Sequence, residues 1–175
     1  IAMSVVAFGV EPWILFFTKT RIYQTQLLLI FEGYYVYMMS SVFTAVRNHG
    51  LGVHWAWLLQ IAVAIPVIAA AWLAWSRTED RLLRVQLVVS ASTLITPYLF
   101  LYDLTALSAV AVWRLLTPRG LTPGDRLLYT MALLSPCLMH SASTFDFSIA
   151  PIITGAVFIA TLRDIRISAG QGAVG

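Results

Sequence analysis

A single cysteine, Cys137, occurs in the 175 residues, so no intramolecular disulfide can form and the redox compartment cannot be inferred from cysteine usage. It lies in an apolar run, where a small core residue is the expected role. Charge is scarce as well: 11% of residues are Asp, Glu, Lys or Arg, against about 25% in an ordinary soluble domain. Lysine occurs once, at Lys19. His49, His54 and His140 show no metal-ligand spacing and have no carboxylate paired with them in sequence, so no metal site is expected. No cofactor is implied, and without a basic and aromatic patch of the soluble type nucleic acid is not an expected partner. Internal repeats and strand-like alternation are missing too.

What is present is oil. Hydrophobic residues make up 59% of the chain, and mean hydropathy is +0.82. Runs without formal charge cover Asn48 to Ser76, Val85 to Tyr102, Leu127 to Phe145 and Phe147 to Leu162. A spanning helix needs roughly 17–25 mostly apolar residues, so the chain reads as an all-α, polytopic membrane protein with about five transmembrane helices plus interfacial helices. Residues 1–167 are expected to form one transmembrane helical domain, and residues 168–175, "SAGQGAVG", a disordered tail. The opening "IAMSVVAF" has neither an initiator Met nor a basic n-region. It reads as the end of a membrane helix already under way, which suggests part of a longer chain.

Leu51 to Trp75 is the clearest span, with Trp55, Trp57, Trp72 and Trp75 near its two ends and Pro66 in its middle as a possible kink. "GVEP" should break the helix before it. Trp13 to Gly50 is amphipathic and carries Lys19, Arg21, Glu32 and Arg47 among tyrosines and tryptophan. That mixture suits one or two interfacial helices in a segment of about residues 9–50.

Arginines decide the topology. If the chain turns round near "TPYLFLYD", where Pro97 disfavours helix at Thr96, then Arg77, Arg81, Arg84, Arg114, Arg119, Arg126, Arg163 and Arg166 share one face. Lys19, Arg21 and Arg47 then lie on the other. The positive-inside rule makes the eight-arginine face and the C-terminus cytoplasmic and the Trp13–Gly50 segment extracytoplasmic. The arms of this hairpin come to roughly 18 residues, or about 27 Å, each.

Asp103 is the conspicuous acid, placed after eighteen residues without formal charge and before ten more. An ionised side chain at membrane depth is usually paired or functional. Capping the helix that begins at Leu104 is one reading, and direct ligand contact is another compatible with it. Lys19, Arg21 and Arg47 could hold a phosphate at the extracytoplasmic surface, or simply snorkel to lipid headgroups. Tyr34, Tyr35 and Tyr37 have faces and hydroxyls suited to sugar, although such clusters also serve as interfacial anchors. Glu32 is the other acid of that stretch, Glu11 reads as a helix-end residue, and Asp146 as the cap of a helix starting at Phe147.

The order "FGVEPW", then "MMSSVFTAVRNHG" before a long span, then an arginine turn and "ITPYLFLYDLTAL", resembles the C-terminal half of glycosyltransferase family 87, bacterial membrane enzymes of the GT-C type. The resemblance runs from Phe8 to about Leu116, with "TPYLFLYDL" as its most specific part. It implies an integral enzyme of the inner membrane that moves a hexose such as mannose from a polyprenyl-phosphate donor to a lipid or glycan acceptor on the extracytoplasmic face, with inversion. The catalytic base is expected upstream of these residues. The positions carried over are Ser41, Arg47, Pro97, Tyr98, Tyr102 and Asp103. Together with Lys19, Arg21, Tyr34 and Tyr35, all of these but Pro97 and Tyr98 are the expected substrate-binding residues. A transporter of a lipid or small solute, built on helices broken at Pro66 and Pro97, and a non-catalytic membrane subunit are the alternative readings.

Overall fold

The computed structural model describes residues 2–30, 36, 38–117, 120–143 and 148–172. It is all-helical apart from one isolated bridge, Met39 to Phe100. The chain forms two compact units, residues 1–36 and 37–175. Leu28 is the one buried hydrophobic among the described residues of the first unit, which therefore has little core to share.

In the first unit α1 (Ala2–Phe8) ends at Gly9, whose φ of 78° takes the left-handed conformation that closes a helix, and the Gly9 amide donates to the Val5 carbonyl at 2.9 Å. Pro12 then starts α2 (Glu11–Leu15), as a proline in the first turn does without losing a bond. The "GVEP" break is thus observed, with the axis bent by 114°. A π-helical turn, Phe16–Thr20, leads into α3 (Arg21–Ile30). Trp13 packs edge-on to Phe16 and stacks on Phe17, and its indole N–H donates to Ser4 Oγ at 3.1 Å.

The second unit begins with α4 (Val42–Asn48) and α5 (Val53–Trp75), separated by Gly50 at φ 75°. Next come α6 (Arg81–Ile95), a 3-10 turn (Leu101–Asp103), α7 (Leu104–Leu116), α8 (Pro123–Leu133), α9 (Ser135–Ser143) and α10 (Ala150–Gly172). Thr96 is extended, as a residue before proline prefers, so α6 stops where Pro97 predicts. Among the described residues α5 is the one helix long and apolar enough by itself to cross a membrane, and α1 with Glu11–Ile30 passes only as a bent pair. The charge-free runs that begin at Val85 and at Leu127 are divided into shorter pieces. At the helical rise α6 covers about 22 Å and α7 about 20 Å, short of the ~30 Å hydrocarbon core. α10 has the length, but Arg163, Asp164 and Arg166 lie within it, and it carries residues 168–172 of the expected disordered tail as helix. A helix already nucleated over five turns extends at small cost per residue, glycines included.

Two cores hold the bundle. Leu104, Leu107 and Ala111 of α7 meet Tyr129 and Ala132 of α8, Met139 of α9 and Ile153 and Val157 of α10. Val67 of α5 meets Leu83, Leu87 and Leu94 of α6 and Phe158 and Ile165 of α10. Cys137 faces outward and is exposed, whereas Ser135 and Met139 on either side of it turn in; the expected core position is corrected. Between the cores the Gln86 amide, fully buried, donates to Tyr129 Oη at 2.7 Å and to Thr161 Oγ1 at 2.8 Å, tying α6 to α8 and α10.

Gln60 performs the same service near the start of α5. Its Oε1 accepts from the Phe43 amide at 3.0 Å, one of the first-turn donors of α4 that no helical carbonyl can satisfy. Its Nε2 donates to the Leu94 carbonyl in the last turn of α6 at 2.9 Å. Gln60→Leu keeps the volume and strands both groups, so unfolding of the detergent-extracted protein should show a loss of about 1–3 kcal/mol. A variant as stable as wild type would mean that water or lipid reaches those groups.

The ends of the second unit differ in chemistry. Arg84 near the start of α6 lies over the Trp75 ring at the end of α5, Arg114 at the end of α7 pairs with Asp164 of α10, and Arg163 of α10 pairs with Asp125 at the start of α8. These helices turn back on one another, and Arg84, Arg114 and Arg163 lie at one end. The other end gathers α4, the start of α5, the end of α6 and the loop from Pro97 to Asp103.

Candidate functional site

At that second end the chain from Met38 to Ser41 is laced to the loop before α7. The Ser40 amide donates to the Leu99 carbonyl at 2.8 Å and the Leu101 amide to the Met38 carbonyl at 2.9 Å, which makes the Met39–Phe100 bridge. Asp103 fixes the loop. Its Oδ2 accepts the Phe100 amide at 2.9 Å, and Asp103 makes no side-chain cap of Leu104's helix. The capping expectation is therefore corrected in position: the carboxylate sits at the third residue of the 3-10 turn and reaches back to the turn's entry, the acidic half of a capping box. Phe100 has no side-chain acceptor to return the bond. Its ring instead stacks with Tyr102 at 5.2 Å and meets Tyr98 edge-on at 4.9 Å. Tyr102 is 60% exposed, so this aromatic step offers a free face and a hydroxyl beside the half-buried Asp103.

Ser41 is fully buried and caps α4: its Oγ accepts the Thr44 amide at 3.1 Å and lies 2.8 Å from Thr44 Oγ1. Arg47 stands six residues along that helix, about 9 Å by the helical rise, and its Nη1 donates to the Leu51 carbonyl at 3.3 Å across the Gly50 turn. The structure thus brings the segments of Ser41, Tyr102 and Asp103 together through the Met39–Phe100 bridge, with Arg47 on the helix that Ser41 starts. Lys19 and Arg21 are exposed in the first unit, where Arg21 borders a shallow hollow of about 340 Å³ with Phe17, Ile22, Thr25 and Gln26. Tyr34, Tyr35, Tyr37, Glu32, Arg119 and Asp146 lie outside the described residues.

A cavity of about 670 Å³ opens at the arginine end and not here. Its charged walls are already matched. Arg114 is 5% exposed, pairs with Asp164 and lies 5.4 Å from the centre of the Tyr129 ring. Arg163 Nη2 bonds Asp125 Oδ1 at 2.9 Å and Asp164 Oδ1 at 3.0 Å. Asp125 also closes a capping box with Thr122 at the start of α8. Burial acts to raise the Asp125 carboxyl, but the bonds from the Thr122 side chain, Arg163 and the Thr122 backbone outweigh it and hold the group below its ordinary value. This network is an interhelical clamp. Among the described residues no group of three His, Cys, Asp or Glu is placed to hold a metal ion.

Charge counting passed over Gln60 and Gln86, which are uncharged but completely buried. The available signal was a lone amide inside an apolar helix, where an unsatisfied polar group costs several kcal/mol and so requires a partner.

Among the described residues one helix, α5, is apolar and long enough to span a bilayer, and little of it is buried inside the fold, which suits a membrane-associated helical protein. The family model of glycosyltransferase family 87 matches residues 1–97, more than half of the sequence, and the chain belongs to that family. No curated protein and no solved structure matches it. The matched stretch holds Lys19, Arg21, Tyr34, Tyr35, Ser41, Arg47 and Pro97, and it stops before Tyr98–Asp103, the part expected to be most specific.

Proposed function

We propose that this chain serves an integral, multi-pass glycosyltransferase of a bacterial inner membrane, which transfers a hexose such as mannose from a polyprenyl-phosphate donor to a lipid or glycan acceptor on the extracytoplasmic face. The observation that carries the reading is the family match over residues 1–97. The grouping of Arg84, Arg114 and Arg163 at one end supports a cytoplasmic assignment for that end, and hence an extracytoplasmic one for α4, the bridge and Asp103. In the transfer the bond from the anomeric carbon to the donor phosphate breaks with its electron pair going to phosphate, and a bond to the acceptor oxygen forms on the opposite face. The hydroxyl proton passes to a base not assigned among these residues. Arg47 supplies positive charge for the departing phosphate, with Lys19 and Arg21 as further candidates. Tyr102 offers its exposed ring to sugar, and Asp103 and Ser41 hold the backbone around it.

Membranes containing the full-length protein should move radiolabelled mannose from polyprenyl-phosphate-mannose into an acceptor. Arg47→Ala should reduce this transfer by about 10²–10³-fold, the usual loss when one charge-stabilising donor is removed. Absence of transfer by wild type with mannose and with other prenyl-phosphate sugars would overturn the proposal and favour transport or a subunit role.

A further inference from the structure

The outer face of α5 and α6 carries an apolar groove that no described residue covers. One stretch, about 480 Å³, is lined by Trp75, Arg81, Arg84, Val85, Val88 and Val89. A second, about 360 Å³, shares Trp75 and Val88 and continues past Trp72 and Ala91 to Ile68 and Ile95. From Arg81 to Ile95 the groove spans about 21 Å, longer than the ~15 Å that one leaflet contributes to the hydrocarbon core. Its walls are open: Trp72 is 80% exposed, and Val85, Val88 and Ile68 are each about half exposed.

Charge is confined to one end. The Arg84 guanidinium lies 5.1 Å from the centre of the Trp75 ring, and its Nε is shielded from solvent without a hydrogen-bond acceptor among the described residues. Arg81, one turn earlier, is exposed. Neither arginine forms an ion pair among the described residues. Asp80, half-buried, accepts the Leu82 and Leu83 amides at its Oδ1 as the cap of α6, and Glu79 is exposed. A groove with two cations and a tryptophan at one end and oil along the rest matches a molecule with an anionic head and a hydrocarbon tail, entered in that order.

We infer that the α5–α6 groove binds an anionic phospholipid, with its phosphate on Arg81 and Arg84 and an acyl chain along Val88, Ala91 and Ile95. A protein helix seated there would have to bring its own carboxylate to the same end, whereas a lipid of the arginine-side leaflet supplies head and tail together. The inference rests on membrane insertion of α5 and not on sugar transfer. The phosphate end of the groove, at Arg81 and Arg84, lies at the opposite end of the bundle from Asp103, and its apolar end reaches the last turn of α6 at Ile95.

The test is native mass spectrometry of the full-length protein released from vesicles of equimolar phosphatidylglycerol and phosphatidylcholine. Wild type should retain phosphatidylglycerol in preference, and Arg81→Gln with Arg84→Gln should weaken that preference about thirtyfold, the loss expected for two cations near an anionic surface. The corresponding double lysine variant should keep most of it. Val88→Trp, which fills the groove and leaves both arginines, should lose retention with unchanged helix content. Equal retention of the two lipids by wild type, an unaltered preference in the glutamine variant, or displacement of phosphatidylglycerol by polyprenyl phosphate at equal concentration would each overturn the assignment. The last result would give the groove to the donor lipid.

Discussion

Arg114→Leu should destabilise the detergent-extracted protein by about 3 kcal/mol, the lower part of the range for removing one partner of a buried ion pair. The side chain of Arg114 is 6% exposed and that of Asp164 15% exposed, so the carboxylate left behind has little access to water. Asp164 keeps Arg163 at 3.0 Å, but Arg163 is 46% exposed and shared with Asp125, which is why the lower part of the range applies. The loss of the guanidinium from the Tyr129 ring adds to the effect, because that ring lies at the centre of the packing between α7, α8 and α10. Arg114→Leu combined with Asp164→Leu should recover most of the stability, since well-packed apolar residues commonly replace a buried pair without loss. Chemical unfolding of the four proteins as a double-mutant cycle gives the coupling directly. Equal stability of wild type and the single variant would show that the clamp carries no net energy and that α7 and α10 are held by Leu107, Ala111 and Val157 alone.

That clamp was legible only in part. If the chain turns round near Pro97, the positive-inside rule puts Arg84, Arg114 and Arg163 on one side, and the three do lie at one end of the bundle. Nothing in that rule indicated that Asp164 and Asp125 would neutralise two of them. Breaks were read well where the backbone itself forces them: Gly9 takes a positive φ, and Pro97 pushes Thr96 out of helix. The break between α8 and α9 at Leu134 has its marker in Pro136, in the first turn of α9, which has no N–H for the Ala132 carbonyl, but that proline was passed over. Hydropathy averages over both, so Leu127 to Phe145 read as one run. Gln60 and Gln86 were missed for a related reason, because a search for charge does not see an amide whose whole worth lies in bonds to distant backbone or hydroxyls. Of the candidate site, Ser41, Tyr102 and Asp103 did converge, but Ser41 and Asp103 do so by capping. Sequence identifies an acid in oil; which amide it faces depends on whether the turn before it is 3-10 or α.

Asp103→Ala is expected to lower sugar transfer by about 100-fold, while Asp103→Asn should keep most of it. The difference follows from the one bond the carboxylate makes among the described residues. Oδ2 accepts the Phe100 amide at 2.9 Å, and an asparagine carbonyl oxygen can accept the same bond, whereas alanine cannot. Without it Phe100 can leave the bridge to Met39, and the stack that holds Tyr102 shifts with it. A displacement of about 1 Å in a positioning element is enough for a 100-fold effect on rate. Asp103 is a positioning residue on this account, so the two variants must be read together in membranes, with wild type, at matched insertion. If asparagine is as damaging as alanine, the negative charge itself is required and Asp103 contacts donor, acceptor or a basic side chain during transfer. If alanine is as active as wild type, the loop is held by the Ser40–Leu99 and Leu101–Met38 bonds alone, and Tyr102 loses its claim to a fixed place at the site.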